Sequence, residues 1–263
     1  MFEEFKHAFQ RPNHAHVQLI LINVLLFLIL AVVLVVTTIA GFENIFSVIY
    51  AQFSLPPSLA VFLNRPWTIL TYGFTHSLTD IWHIIFNMIS LYWFGKLFIE
   101  YLGNDRLIAL YILGAIAGGV VYLSLYNSVP FFMQRANSAG MVGASGAIFA
   151  VMVGCATLLP NYTFYLMFFG PVRIKYIALI FIVVSFIGTV SANAGGNLAH
   201  LGGAAIGYLY VDQKLFYNAQ IEAQGQKIEK LELKVEQLTE QLRKSDSTYS
   251  AVASRLATLQ ELG

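Results

Sequence analysis

Long apolar runs separated by short polar breaks fill the chain as far as about position 215, and then they stop. Six runs can be drawn, at about 17–40, 81–101, 107–126, 143–160, 174–191 and 198–215. Each is about 18–24 residues, the length that crosses ~30 Å of hydrocarbon as a helix. Lipid offers no water to backbone N–H and C=O groups, so all six are expected to be helices. The first run follows Lys6 and Arg11 and lacks a small-x-small cleavage pattern at its end, so it reads as a retained span. Between runs one and two, the semi-apolar stretch 41–80 is broken by Pro56, Pro57 and Pro66. It is expected to lie in the membrane interface, a depth that suits Tyr50, Trp67 and Tyr72.

After the sixth run the pattern changes. Residues 219–263 are rich in Gln, Glu and Lys. Ile221, Ile228, Leu231, Val235, Leu238 and Leu242 form a heptad seam, which lapses at Ser245 and resumes at Val252, Leu256 and Leu259. Two readings stay open. The tail is a coiled-coil helix, through which two copies could form a homo-oligomer, or one amphipathic helix resting on the bilayer. The expected layout is an all-α polytopic membrane protein: an N-terminal segment 1–16, a six-helix domain 17–215 and a helical tail 216–263.

Composition agrees with a multi-pass protein in the lipid bilayer: 57% of residues are hydrophobic and 11% charged. A net charge of +1 without a basic cluster gives no reason to expect a nucleic-acid partner. The single cysteine, Cys155, excludes an intrachain disulfide and a Cys-based metal site. His7, His14 and His16 precede the first span and read as a solvated collar rather than metal ligands. No metal and no cofactor are expected. With the N-terminus in the cytoplasm, Lys6, Arg11, Lys96, Arg106, Arg173, Lys175 and Lys214 fall inside, and only Arg65 and Arg135 outside. The positive-inside rule therefore places both termini in the cytoplasm, with the cell membrane as the expected location.

Polar groups inside spans are costly and tend to be functional. Lys96, Glu100 and Asp212 sit near span ends and can snorkel. Deeper in lie His83 and Asn87 on span two, Ser145 on span four and His200 on span six. All three spans run in the same direction, so four polar groups from three helices arrive at similar depth on one side. Serine beside histidine is a nucleophile–base pairing, since a neutral imidazole can take the hydroxyl proton near pH 7. No Asp or Glu lies at that depth, so a dyad is expected rather than a triad. Asn87, four residues after His83, shares its helix face. That pair, with the Ser145 backbone N–H, could donate to a developing oxyanion. Close helix approach needs small residues. Gly203, Ala204 and Gly207 follow His200 along one face, and Gly146, Ala150 and Gly154 form a ridge beside the serine. Gly143 and Gly146 are expected to leave room for a substrate backbone. Gly114 and Gly118 read as packing only.

These stretches, "GASGAIFA", "AHLGGAAIG" and "HIIFN", resemble the motifs of the rhomboid family of intramembrane serine proteases. The resemblance covers about 67–215. It implies Ser145 as nucleophile, His200 as general base, and His83, Asn87 and the Ser145 amide as oxyanion hole. It implies cleavage of single-span membrane protein substrates in or beside their transmembrane helices, without cofactor or metal. Two departures stand out. The first loop reads "RPWT" where many members have Trp-Arg, so loop anchoring is expected to differ. Phe149 stands where many have a tyrosine packed on the catalytic histidine. An inactive rhomboid-like protein that binds membrane clients is the first rival, but its usual mark, loss of Ser or His, is missing. A transporter would show acidic residues or broken helices at mid-membrane.

Overall fold

The computed structural model describes residues 14–136, 140–166, 170–211 and 213–260, so Lys6, His7, Arg11 and Asp212 of the sequence reading lie outside it. The chain divides into two compact units, Met1–Gln213 and Lys214–Gly263.

The first unit is mostly helical. Helix α1 (Ala15–Ile39) and helix α6 (Asn104–Ser128) are long and apolar enough to cross a membrane, with mean hydropathies of 3.5 and 2.1. Helix α5 (Ile81–Leu102) starts where the Asp80 carboxylate accepts from the backbone N–H groups of Trp82 and His83, at 3.1 and 3.3 Å. It stops at Gly103, whose φ of +82° other residues rarely adopt. Helix α8 (Ser145–Leu158) is the centre of the unit. Every residue from Gly146 to Cys155 is buried, as expected of a helix that is apolar all round. Helices α10 (Ala194–Tyr210), α6 and α5 pack around it, and α9 (Ile174–Gly188) lies against α10. The outward side of α9, from Leu179 to Ile187, carries exposed apolar side chains.

One element departs from the expected all-α class. Strands β1 (Thr163–Leu166) and β2 (Gly170–Arg173) form a small antiparallel hairpin with Thr163 opposite Arg173.

The stretch 41–80 is more deeply built in than its prolines suggested. It contains α2 (Glu43–Ala51), α3 (Leu59–Leu63), α4 (Thr68–Thr71) and a 3₁₀ turn at Tyr72–Phe74, followed by α7 (Pro130–Met133) after α6. Tyr72 is enclosed by protein. It is 1% exposed and its hydroxyl donates to the Ala115 carbonyl at 2.5 Å. A buried tyrosine needs such a partner, and the bundle supplies one. Asn23 on α1 donates to the Tyr111 hydroxyl, which donates to the Gly73 carbonyl, so one buried chain of hydrogen bonds ties α1, α6 and the turn together. Arg65 and Trp67 both anchor on the end of α2, through the carbonyls of Ala51 and Gln52.

His16 also corrects the sequence reading. It is buried, with its ring 5.5 Å from that of Tyr92, and the missing Cβ of Gly95 leaves space for its own. It is a packing residue at the α1–α5 contact rather than part of a solvated collar.

The second unit is one helix, α11 (Gln213–Gln260). It does not break at Ser245, because no Gly or Pro occurs between 226 and 260. Ile228, Leu231, Val235, Leu238 and Leu242 are exposed along it.

Candidate active site

Ser145 is the first residue of α8, so the backbone N–H groups of the helix start point out around its side chain. The loop leading to it is fixed by glycine. Gly143 has φ +138° and donates its N–H to the Tyr72 carbonyl at 3.0 Å. A Cβ on Gly143 would lie 3.0 Å from His83 Nε2. It would also lie 3.5 Å from Ser145 Oγ. Gly143 admits the His83 ring, and Gly146 admits the α10 backbone, since its Cβ would lie 3.2 Å from the Ala199 carbonyl oxygen.

Ser145 Oγ and His200 Nε2 are 2.7 Å apart, a hydrogen bond between residues 55 positions apart on two helices. Backbone contact makes it reachable. A Cβ on Gly203 would run into the Gly146 carbonyl, and one on Gly207 into the Ala150 carbonyl. These two glycines, one helical turn apart, let α10 touch α8 backbone to backbone. Gly154 does not extend that contact. Its missing Cβ faces Leu110, Val211 and Phe98 instead. Gly114 faces Ala147 and Ala150, and Gly118 faces the Ala199 carbonyl, so both bring α6 close to the same pair of helices.

The His200 ring is held on two further sides. Phe149, one turn along α8 from the serine, lies parallel to it at 4.1 Å and 10°. On the far edge, Nδ1 is 3.0 Å from the hydroxyl of Ser185 on α9, a buried residue. Sequence reasoning missed Ser185. The signal was one serine in the apolar stretch "IALIFIVVSFIG", a weak one because a serine in a helix commonly bonds its own backbone.

His83 and Asn87 stand on α5 beside this pair. Asn87 is buried and donates to the backbone carbonyl of His83 at 2.9 Å, so its amide is turned toward its own helix. The His83 ring meets that of His76 edge-on, with centroids 5.3 Å apart. His76 lies in the loop before α5 and is fully buried. Burial, and then the neighbouring His83, push its pKa down to about 3.

Two cavities lie in this region, and only the first has Ser145 in its lining. One, of about 410 Å³, opens between α5, α8 and α9 and is lined by Trp82, Phe86, Phe149, Met152 and Phe181, with Ser145 in its wall. The other, of about 380 Å³, is lined by Ser77, Tyr122, Tyr126, Asn193 and the Gly140–Val142 backbone. Asp80 and His83 border both.

A sequence model of the rhomboid domain matches residues 63–214, more than half of the chain. The chain is 35% identical over 153 residues to RHOMBOID-like protein 12, mitochondrial, of Arabidopsis thaliana, covering 54% of this chain and 45% of that one. It is 33% identical over 152 residues to rhomboid protein 1, mitochondrial, of Saccharomyces cerevisiae, covering 54% and 40%. It is 27% identical over 160 residues to rhomboid protease GlpG of Haemophilus influenzae, covering 59% and 74%. The match thus spans under half the length of the first two relatives. The domain match runs from the end of α3 to the start of α11 and takes in Ser145, His200 and the residues around them, and the chain belongs to the rhomboid family of integral membrane proteins.

Proposed function

We propose that this protein is an intramembrane serine endopeptidase that cuts single-span membrane proteins in or beside their transmembrane helices. The observation that carries the reading is the 2.7 Å contact between Ser145 Oγ and His200 Nε2, made between two helices inside an apolar bundle. The name of the Haemophilus influenzae relative, a protease, supports it.

In this reading six helices span the membrane: α1, α5, α6, α8, α9 and α10. Both termini are cytoplasmic. At 14 residues α8 covers only about 21 Å, less than a bilayer core. Its N-terminus is therefore recessed, and Ser145 sits below the membrane surface. The loop before it can be non-helical at that depth because protein, not lipid, surrounds it.

The chemistry follows from the geometry. Ser145 Oγ attacks the scissile carbonyl carbon while its proton passes to His200 Nε2. The C=O electron pair moves onto oxygen, facing the Ser145 N–H, the His83 ring and Asn87, whose amide turns away from the His83 carbonyl to meet it. His200 then gives its proton to the leaving amine, and water releases the acyl-enzyme by the same route. The apolar cavity suits the side of a substrate helix. The polar one suits an unwound segment and the water that hydrolysis needs.

The test is reconstitution in liposomes with a helix-destabilised single-span substrate. Wild-type protein should cleave it and react with a serine-directed fluorophosphonate. Ser145→Ala and His200→Ala should do neither while remaining folded. Robust cleavage by folded Ser145→Ala would remove the proposal.

A further inference from the structure

The dyad has a third member on a helix that the sequence reading left out of the site. We infer that Ser185 is a positioning residue that holds His200 in the tautomer needed for general-base catalysis, accepting a hydrogen bond from Nδ1–H. The inference rests on the protease reading above.

A neutral imidazole carries one ring proton. To take the Ser145 proton, Nε2 must be bare, so the proton must sit on Nδ1. In water the two tautomers interconvert freely. In a buried site the partner of the second nitrogen decides between them. The Ser185 hydroxyl lies 3.0 Å from Nδ1, within hydrogen-bond range, while Nε2 is engaged with Ser145 on the opposite edge of the ring. The ring is therefore gripped edge to edge by two hydroxyls and covered on one face by Phe149.

Ser185 is fixed in turn. It is 3% exposed, so solvent does not compete for its hydroxyl. The α9–α10 turn is closed by Asn197, one turn before His200 on α10, which donates to the Gly188 carbonyl at 2.9 Å. A Cβ on Gly188 would collide with the Asn197 side chain, so that connection is as short as glycine permits. The register of α9 against α10 is thereby set, and with it the position of Ser185 opposite Nδ1.

The role extends through the reaction. When Ser145 Oγ bonds the carbonyl carbon, its proton moves to Nε2 and the ring becomes imidazolium. The Nδ1–H bond to Ser185 then has a charged donor, and such bonds are roughly twice as strong as neutral ones. A neutral hydroxyl here does what a carboxylate does in a Ser-His-Asp triad, but without a buried negative charge inside a membrane bundle.

The experiment uses full-length protein in liposomes and compares wild type, Ser185→Ala, Ser185→Thr and Ser145→Ala. Ser185→Ala should lower kcat by about 10–100-fold, the effect of losing a hydrogen bond to a charged group. Its KM and melting temperature should stay close to wild type. Ser185→Thr, which keeps a hydroxyl, should recover kcat to within about 10-fold of wild type, a loss smaller than that of Ser185→Ala. Nitrogen-15 spectra of histidine-labelled protein should show His200 protonated on Nδ1 in wild type and as a tautomer mixture in Ser185→Ala. Wild-type kcat in Ser185→Ala would overturn the inference, and so would equal loss in both Ser185 variants at unchanged melting temperature. If a variant fails to fold, the wild-type tautomer decides alone: a proton on Nε2 refutes the role. Undiminished cleavage by Ser145→Ala would instead remove the protease reading, and the spectra would still report the Ser185–His200 bond.

Discussion

The Phe149 ring lies parallel to the His200 ring, 4.1 Å away and tilted by only 10°. Phe149 also contacts Phe181 edge-on, with centroids 6.1 Å apart, so it links the base to the wall of the apolar cavity. A stacked pair is worth about 0.5–1.5 kcal/mol beyond its buried area, or about 2–12-fold in an equilibrium. The larger effect is orientation, since a 1 Å misplacement of a reacting group can cost 10²-fold in rate. Phe149→Tyr should label with a fluorophosphonate at a rate within about 3-fold of wild type, because the flat face is what matters. Phe149→Ala should label at least about 10-fold more slowly. Labelling rates are the measurement of choice because the probe does not depend on a substrate helix reaching the cavity. Equal rates for both variants would mean the stack does not hold the base.

The two α5 residues should behave differently from the dyad. Asn87 spends its resting hydrogen bond on the His83 carbonyl and must rotate to reach an oxyanion. Removing one oxyanion donor costs about 10²–10³-fold in well-studied hydrolases. Asn87→Ala and His83→Ala should therefore keep measurable cleavage, since the Ser145 N–H remains. Ser145→Ala should leave none. Single-turnover assays on folded protein separate the two cases. Asn87→Ala as inactive as Ser145→Ala would place Asn87 in a different role.

Gly203 gives the sharpest steric prediction. Its missing Cβ would overlap the Gly146 carbonyl, which is backbone and cannot swing aside. Even Gly203→Ala must push α10 away from α8, just one turn from His200. Overpacking of this kind costs about 1–3 kcal/mol. The expected result is a lower melting temperature together with a loss of activity near 10²-fold. Gly225 on α11 is the control, with open space where its Cβ would be. Gly225→Ala should leave both quantities at or above wild type, because alanine favours a helix over glycine by up to about 1 kcal/mol. A wild-type melting curve for Gly203→Ala would show that the two backbones are not in contact in solution.

The residues that could be placed from sequence are those whose chemistry and helical spacing agree. His83 and Asn87 are four apart, and His200, Gly203 and Gly207 follow a helix face, so periodicity alone put them on shared sides. The length of the apolar runs placed α1, α5 and α6 within three residues of their observed bounds. What stayed hidden depends on contacts between distant segments. The burial of Tyr72 stayed hidden because its partner, the Ala115 carbonyl, is 43 positions away. His16 looked solvated because nothing local announces its packing on Tyr92. The need of Gly143 for positive φ, and the His83 ring against it, exist only after folding. The β1–β2 hairpin is four residues a side, too short for alternation to stand out.

His76 makes stability depend on pH in a direction that can be worked out. In the fold its pKa is lowered from an ordinary 6.5 to about 3, by burial and then by the neighbouring His83. The unfolded chain therefore binds a proton at His76 that the folded protein refuses, at any pH between about 3 and 6.5. Stability rises with pH wherever the unfolded state binds more protons. The contribution is complete above about pH 7.5 and is lost progressively as pH falls through 6.5 toward 3. Between pH 6.5 and 5.5 this one group accounts for about 1 kcal/mol, a window in which most carboxylates stay ionised. Melting curves in detergent across pH 7.5–5.5 should show wild-type protein losing stability on acidification. His76→Gln keeps a polar side chain of similar length but cannot titrate. It should start less stable, because it is buried without a designed partner. Its slope against pH should be shallower by up to one proton. A His76→Gln slope equal to that of wild type would mean that His76 is already protonated, or not buried, in the folded state.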